Sequence, residues 1–213
     1  MTPKIHLEVL PARQAEVWTL LGTFAPDLER WGFYLAGGTA LALQLGHRES
    51  VDFDFFTQRT DVGPIVRERL ETAFPELILR EADPNTVHAD LRGVRLSFIG
   101  GYKYPLVRSA VTTDAGIFLA DILDIALMKL LAVSHRAAVR DYVDLAAVLR
   151  DRLTLSELIE VSMKKYGPRF NAMVSLRALV AFDDLDAEMP KVLDTRLEKS
   201  WRRILLDAVK SAS

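Results

Sequence analysis

The run Val51-Asp52-Phe53-Asp54-Phe55-Phe56 alternates apolar and acidic side chains over its first five residues. A period of two marks a β-strand with one buried face. Val51, Phe53 and Phe55 are therefore predicted to point into a core, while Asp52 and Asp54 project together from the other face. Their Cα atoms then stand roughly 7 Å apart. Two like charges side by side repel, and no Lys or Arg shares that face nearby in sequence. A divalent cation with oxygen ligands resolves the conflict, and Mg²⁺ is commonly held by one or two carboxylates plus substrate phosphates. The plain alternative is the solvated polar face of an edge strand, because a bare Asp-x-Asp is a weak signal.

A second feature lies upstream. Trp31 to Ala36 reads as a short buried strand that ends in Gly37-Gly38-Thr39, and the Ala- and Leu-rich run Ala40 to Leu45 as a helix closed by Gly46. The first amides of a helix have no intrahelical partner and its dipole favours anions there, so this turn can hold phosphate. Glycine permits close approach, and the Thr39 hydroxyl adds a donor. Equally, Thr39 is a plain helix N-cap and the glycines an ordinary tight turn. Only 12 residues separate Thr39 from Asp52. Together the two features place a phosphate cradle beside a metal site, the parts that phosphoryl or nucleotidyl transfer requires.

The rest of the chain divides at about residue 117. Before it, helical spacing covers Pro11 to Arg30 and Pro64 to Phe74. Strand-like runs cover Glu76 to Glu81, Val87 to Leu91 and Val94 to Ile99, with Arg92-Gly93 as a turn. After it, no strand signal appears. Leu119–Ser134, Ala138–Asp151, Leu155–Tyr166, Asn171–Phe182 and Thr195–Ser211 all read as helices. The fold class predicted is α+β or α/β: a mixed β-sheet with flanking helices over residues 1–117, then an all-helical C-terminal domain over 118–213 that completes the site. The helical half carries Lys129 followed by Arg136, Arg140, Asp141 and Asp144. The cations can reach triphosphate oxygens, with Asp141 or Asp144 orienting them. The local alternative is an Arg140–Asp144 i,i+4 pair worth a few tenths of a kcal/mol. His47, beside the cradle, either touches nucleotide or is solvated. Lys164, Lys165, Arg169, Arg177 and Arg202-Arg203, with Tyr166 and Trp201 nearby, form either an RNA-phosphate contact or a charged solvated face.

Composition excludes several other chemistries. The 213 residues contain no Cys, which removes disulfide scaffolds, thiolate zinc sites and cysteine nucleophiles. His6, His88 and His135 are too scattered for zinc, and neither a Gly-x-Ser-x-Gly elbow nor a Walker pattern occurs. With 27 Lys and Arg against 29 Asp and Glu, any nucleic-acid contact must rest on a local basic patch. The longest uncharged run, the 16 residues Trp31 to Gly46, is too short and too glycine-rich to span a bilayer, and the first ten residues lack the apolar centre of a signal peptide. The expected location is the cytoplasm.

The stretch from Leu35 to Phe56, LAGGTALALQLGHRESVDFDFF, resembles the AbiEii/AbiGii toxin family of nucleotidyltransferases, whose first motif is a Gly-Gly-Ser/Thr, a helix, then Ser-x-Asp-x-Asp. Lys129-Leu-Leu-Ala and Arg140-Asp-Tyr-Val-Asp-Leu145 resemble its later motifs, and Gly93 to Ile99 with Tyr104-Pro-Leu the segment between. The resemblance implies a DNA-polymerase-β-like nucleotidyltransferase core that uses Mg²⁺, with Mn²⁺ as an alternative, and a nucleoside triphosphate. It also implies a toxin of a toxin–antitoxin pair, with a cognate antitoxin as partner, that adds nucleotides to the 3′ end of tRNA or another RNA. Carried over, Asp52 and Asp54 bind metal and are catalytic together with Lys129 and Asp141. Gly37, Gly38, Thr39, Lys129, Arg140 and Asp144 bind nucleotide. Nucleotidyltransferases of this superfamily often place a third carboxylate on the following strand, where this chain has Ser97. That departure motivates one alternative reading, a nucleotide-binding module with weakened catalysis; a separate alternative keeps the same chemistry but transfers to a protein hydroxyl (AMPylation).

Overall fold

The computed structural model describes residues 4–186 and 188–212. Helix α1 (Ala12–Arg30) starts directly after Pro11 and buries Val17, Leu21, Phe24 and Leu28 along one stripe. Strand β1 (Tyr34–Ala36) follows and runs without a loop into α2 (Gly37–Leu45). Thus the glycine pair forms the first turn of the helix itself, a few residues earlier than the Ala-rich run suggested. Gly46, at φ 68°, ends α2 in the left-handed conformation that glycine adopts without strain. Strand β2 covers Phe53–Phe56, so Asp54 lies within it and Asp52 just before it. Phe53 and Phe55 are fully buried as expected, but Val51 is 50% exposed. Its predicted inward orientation fails because the pleat begins only at Phe53.

After α3 (Gly63–Ala73) come β3 (Ile78–Ala82), β4 (Thr86–Leu91), β5 (Val94–Ile99), β6 (Val111–Thr112) and β7 (Phe118–Leu119). The seven strands form one mixed sheet in the order β3-β4-β5-β2-β1-β7-β6. β1 and β2 are antiparallel and place Ala36 opposite Asp54, while β2 and β5 are parallel and place Asp54 opposite Ser97. β7 lies past the last strand signal in the sequence. Two residues paired to β1 by register Leu35↔Leu119 are too short to show a period. Five helices follow: α4 (Ile122–Val133), α5 (Val139–Asp151), α6 (Leu155–Tyr166), α7 (Ala172–Ala178) and α8 (Thr195–Ala212). Leu127 and Leu130 of α4 and Tyr142, Leu145 and Val148 of α5 join the same core as Phe53, Phe55 and Phe98 of the sheet. Apolar burial on this scale is the main force holding sheet and helices together.

A buried ion cluster fixes their relative position. Asp144 of α5 is completely buried and accepts from Arg48 Nε at 2.6 Å, Arg48 Nη2 at 2.9 Å and Lys129 Nζ at 2.7 Å, with His47 Nε2 at 2.8 Å. Arg48 and His47 belong to the loop between α2 and β2, whereas Lys129 and Asp144 belong to α4 and α5. Burial alone would push the Asp144 carboxyl up, but the Arg48 and Lys129 charges and the Arg48 and His47 hydrogen bonds hold it well below the ordinary carboxylate range. A carboxyl that ionises more readily folded than unfolded stabilises the fold fully above its unfolded pKa, about 3.9, and loses that contribution as the pH falls through the folded value. Asp144→Asn should therefore cost about 3–5 kcal/mol at neutral pH. Urea unfolding measured from pH 7 downward should also show a flatter acid limb than wild type. Equal stability of the two proteins at pH 7 would contradict this role.

Candidate active site

At the end of β1 the chain turns through Gly37, whose φ is +68°. A Cβ added there would lie 3.3 Å from Asp54 Oδ2, so the Asp54 carboxylate faces the turn directly. The N-cap residue of α2 is Ala36, which has no polar side chain to bond the first amides of the helix. Those amides and the positive end of the dipole therefore stand beside the carboxylate pair, ready for an anion. Thr39 is buried and uses its hydroxyl differently from the sequence expectation: it donates to the Asp52 carbonyl and shares a 2.8 Å hydrogen bond with Ser50 Oγ. Its side chain thus fixes the α2 turn against the approach to β2. Its backbone amide is the group left for a phosphate.

Asp52 and Asp54 are partly buried, and neither makes an ion pair among the described residues. Burial, followed by the repulsion of Asp54 and Asp90, pushes the Asp52 carboxyl above its ordinary range against the pull of Arg95 and Arg140. Two adjacent carboxylates with hard oxygen donors and no bonded cation among the described residues, one of them against the uncapped first turn of α2, fit a Mg²⁺ ion. Among the described residues no third His, Asp or Glu joins them in a metal-binding group. The position opposite Asp54 on β5 is Ser97, which is buried.

These residues open into a cleft of about 760 Å³ between sheet and helices. Asp52, Asp54, Phe56 and Ile99 line its sheet side, and Met128, Lys129 and Ala132 of α4 line the opposite wall. Arg136 and Arg140 stand at the start of α5, with Lys191 from the segment before α8. Lys129 Nζ lies 2.6 Å from Asp141 Oδ1 and 2.7 Å from Asp144 Oδ2. Arg136 Nε lies 2.7 Å from Asp141 Oδ2, while the Arg136 side chain remains 54% exposed. Asp141 and Asp144 are both completely buried, so each acts on the cleft through the cations it holds. Arg140 is exposed and forms no ion pair with Asp144, which is occupied by Arg48, His47 and Lys129. The Arg140–Asp144 helical pair considered from the sequence is therefore absent. The three cations Arg48, Lys129 and Arg136 outnumber the two carboxylates Asp141 and Asp144, so a net positive charge stands behind the cleft.

The structure brings Gly37, Gly38, Thr39, Asp52, Asp54, Lys129 and Arg140 into one cleft. Arg48 also lines it and was missed. The signal was there: Asp141 and Asp144, three apart on one helix flank, require counter-charges that α5 alone does not supply. His47 is neither solvated nor placed on the cleft, since it is buried against Asp144. Within the C-terminal basic group, Lys165 is buried and bound to Asp124 at 2.6 Å, and Tyr166 and Trp201 are core residues. A second cavity, of about 680 Å³, lies at the other end of β1 beside Tyr34, Arg59 and Arg108 and contains none of the expected site residues. Among the described residues no helix is long and apolar enough to cross a membrane.

Comparison with known proteins accords with this geometry. An uncharacterized protein of Aquifex aeolicus is 36% identical over 162 residues, covering 74% of this chain and 77% of that protein. A crystal structure described as that of a candidate nucleotidyltransferase from H. pylori superposes with a TM-score of 0.57 at 17% identity, covering 95% of this chain and 97% of the other, which shows a shared fold. Residues 19–212 match the model of the nucleotidyl transferase AbiEii toxin family of type IV toxin–antitoxin systems. The chain belongs to the AbiEii family of toxin nucleotidyltransferases.

Proposed function

We propose that the chain transfers a nucleoside monophosphate from a nucleoside triphosphate to an acceptor hydroxyl, the 3′ end of an RNA such as tRNA, with Mg²⁺ held by Asp52 and Asp54. The observation that carries this reading is the Asp52–Asp54 pair, without an ion-pair partner among the described residues, lining a cleft with Arg136, Arg140 and Lys191, with the Asp54 carboxylate directly against the uncapped first turn of α2. A metal held there would neutralise charge that develops between the α-phosphorus and the departing pyrophosphate. The amides of Gly38 and Thr39 bind the terminal phosphates, and Arg140 with the exposed edge of Arg136 reaches their remaining oxygens. Lys129, fixed by Asp141 and Asp144, supplies a positive charge that needs no rearrangement when the pyrophosphate leaves. Asp141 is accordingly a positioning residue, orienting Lys129 and Arg136. Phe56, Ile99 and Met128 form the apolar part of the cleft, suited to a nucleobase.

The acceptor hydroxyl oxygen attacks the α-phosphorus and releases its proton to solvent, the bond to the bridging oxygen breaks, and pyrophosphate departs. A polynucleotide acceptor suits a toxin, because blocking the 3′ end of tRNA stops translation, and the type IV family implies a cognate antitoxin acting in the same cytoplasm. Ser97 opposite Asp54 favours one competing reading, a module that binds nucleoside triphosphate without transferring it.

Incubating the protein with each of the four α-labelled triphosphates, total RNA and protein lysate separates these readings. Label is expected in the RNA fraction. Label in protein alone would overturn the RNA reading in favour of AMPylation, and binding without pyrophosphate release would favour the inactive module. Asp52→Asn and Asp54→Asn should each lower transfer at least 10²-fold, the scale of losing an electrostatic contact at the reacting centre. Their circular dichroism and melting should stay close to wild type, because both side chains are partly solvated and without an ion-pair partner among the described residues. Full transfer by either variant would contradict the metal assignment.

A further inference from the structure

Arg48 is 4% exposed, lines the catalytic cleft, and is pinned on one edge. Its Nε and Nη2 bond the two oxygens of Asp144, and Nη1 donates to the Glu49 carbonyl at 2.8 Å. A guanidinium carries five N–H donors. Two of them, one on each terminal nitrogen, therefore have no partner among the described residues. Leaving guanidinium donors unpaired in a dry site is costly, which points to a ligand that completes them. The position of Nη2 is equally specific. A Cβ on Gly38 would collide with it, so the guanidinium lies against the peptide of the α2 turn, at a point only glycine leaves open. Ser50 Oγ stands 3.5 Å from the same point. The free guanidinium edge and the α2 amides thus border one space, and the surplus positive charge of the cluster lies directly behind it.

Resting on the nucleotidyl-transfer reading above, we propose that Arg48 is a phosphate-binding residue of this site, whose two unpaired N–H groups grip a terminal phosphate oxygen of the triphosphate. Asp144 is its positioning partner. A guanidinium held in a bidentate pair loses little further freedom when an anion docks, and so binds it more tightly than a mobile surface arginine. The grip also spans the molecule: Arg48 belongs to the α2–β2 loop and Asp144 to α5, so bound phosphate ties sheet and helices more firmly together.

The test uses inorganic tripolyphosphate without metal or acceptor. Calorimetric affinity should fall about tenfold or more in Arg48→Lys, whose ammonium cannot bond Asp144 through two nitrogens and still present a pair of donors. In transfer assays the same variant should raise KM for the triphosphate and leave kcat within a few-fold, the pattern of lost uniform binding. A merely structural role would instead lower the melting temperature and the active fraction with KM unchanged. If Arg48→Lys does not fold, a crystal of the wild-type protein soaked in tripolyphosphate decides, and a phosphate oxygen within hydrogen-bond distance of Arg48 Nη1 or Nη2 is expected. Wild-type tripolyphosphate affinity in folded Arg48→Lys, or soaked phosphate remote from Arg48, would overturn the proposal even where RNA labelling persists. Arg48-dependent tripolyphosphate binding in a protein that labels no RNA would uphold it and sink the RNA reading alone.

Discussion

The carboxylate of Asp144 lies wholly out of water and would be costly there if Arg48, Lys129 and His47 did not close on it from different sides. Two of those partners come from the loop that follows the glycine turn, and the third comes from α4. One carboxylate therefore decides how the helices sit over the sheet. Through Arg48 it also sets what lies behind Gly38, and through Lys129 what lines the cleft with Asp52 and Asp54. The apolar core supplies most of the attraction between the two layers, but it is non-directional. The ion cluster supplies the register.

That arrangement separates the charges of the cleft into two classes. Asp141 and Asp144 are buried and neutralised, so their influence is exerted entirely through cations whose positions they fix. Asp52 and Asp54 are partly solvated and carry no bonded counter-ion among the described residues, so their negative charge remains available to a bound metal. Between them stands a helix terminus without a side-chain cap. Acid, cation and amide thus meet in one space with little reorganisation left for a substrate to drive, which is how electrostatic catalysis gains its strength.

Much of this was legible in the sequence wherever a period or a spacing carried the information. Phe53 and Phe55 alternate with two acids, and that pattern located both the core face and the carboxylates. Leu155–Tyr166 was read as a helix with the bounds it has in the structure, where Thr154 caps its start and Gly167 follows its end. Misreadings occurred where the deciding contact was distant in sequence. Val51 kept the alternation in letters but not in space, because the strand begins only at Phe53, which pairs with β5, and pairing with β1 begins at Asp54. Thr39 looked like a phosphate donor until the Asp52 carbonyl claimed its hydroxyl. Arg48 went unnoticed because its partner is 96 residues away, and no local rule connects them.

In the proposed function, Asp52 and Asp54 hold a metal-bound triphosphate over the first turn of α2. Anomalous scattering from crystals grown with Mn²⁺ and a non-hydrolysable nucleoside triphosphate tests it most directly. Manganese density is expected between the two carboxylates, with the terminal phosphates on the Gly38 and Thr39 amides. Manganese bound elsewhere, or a triphosphate seated in the second cavity beside Tyr34, Arg59 and Arg108, would contradict it.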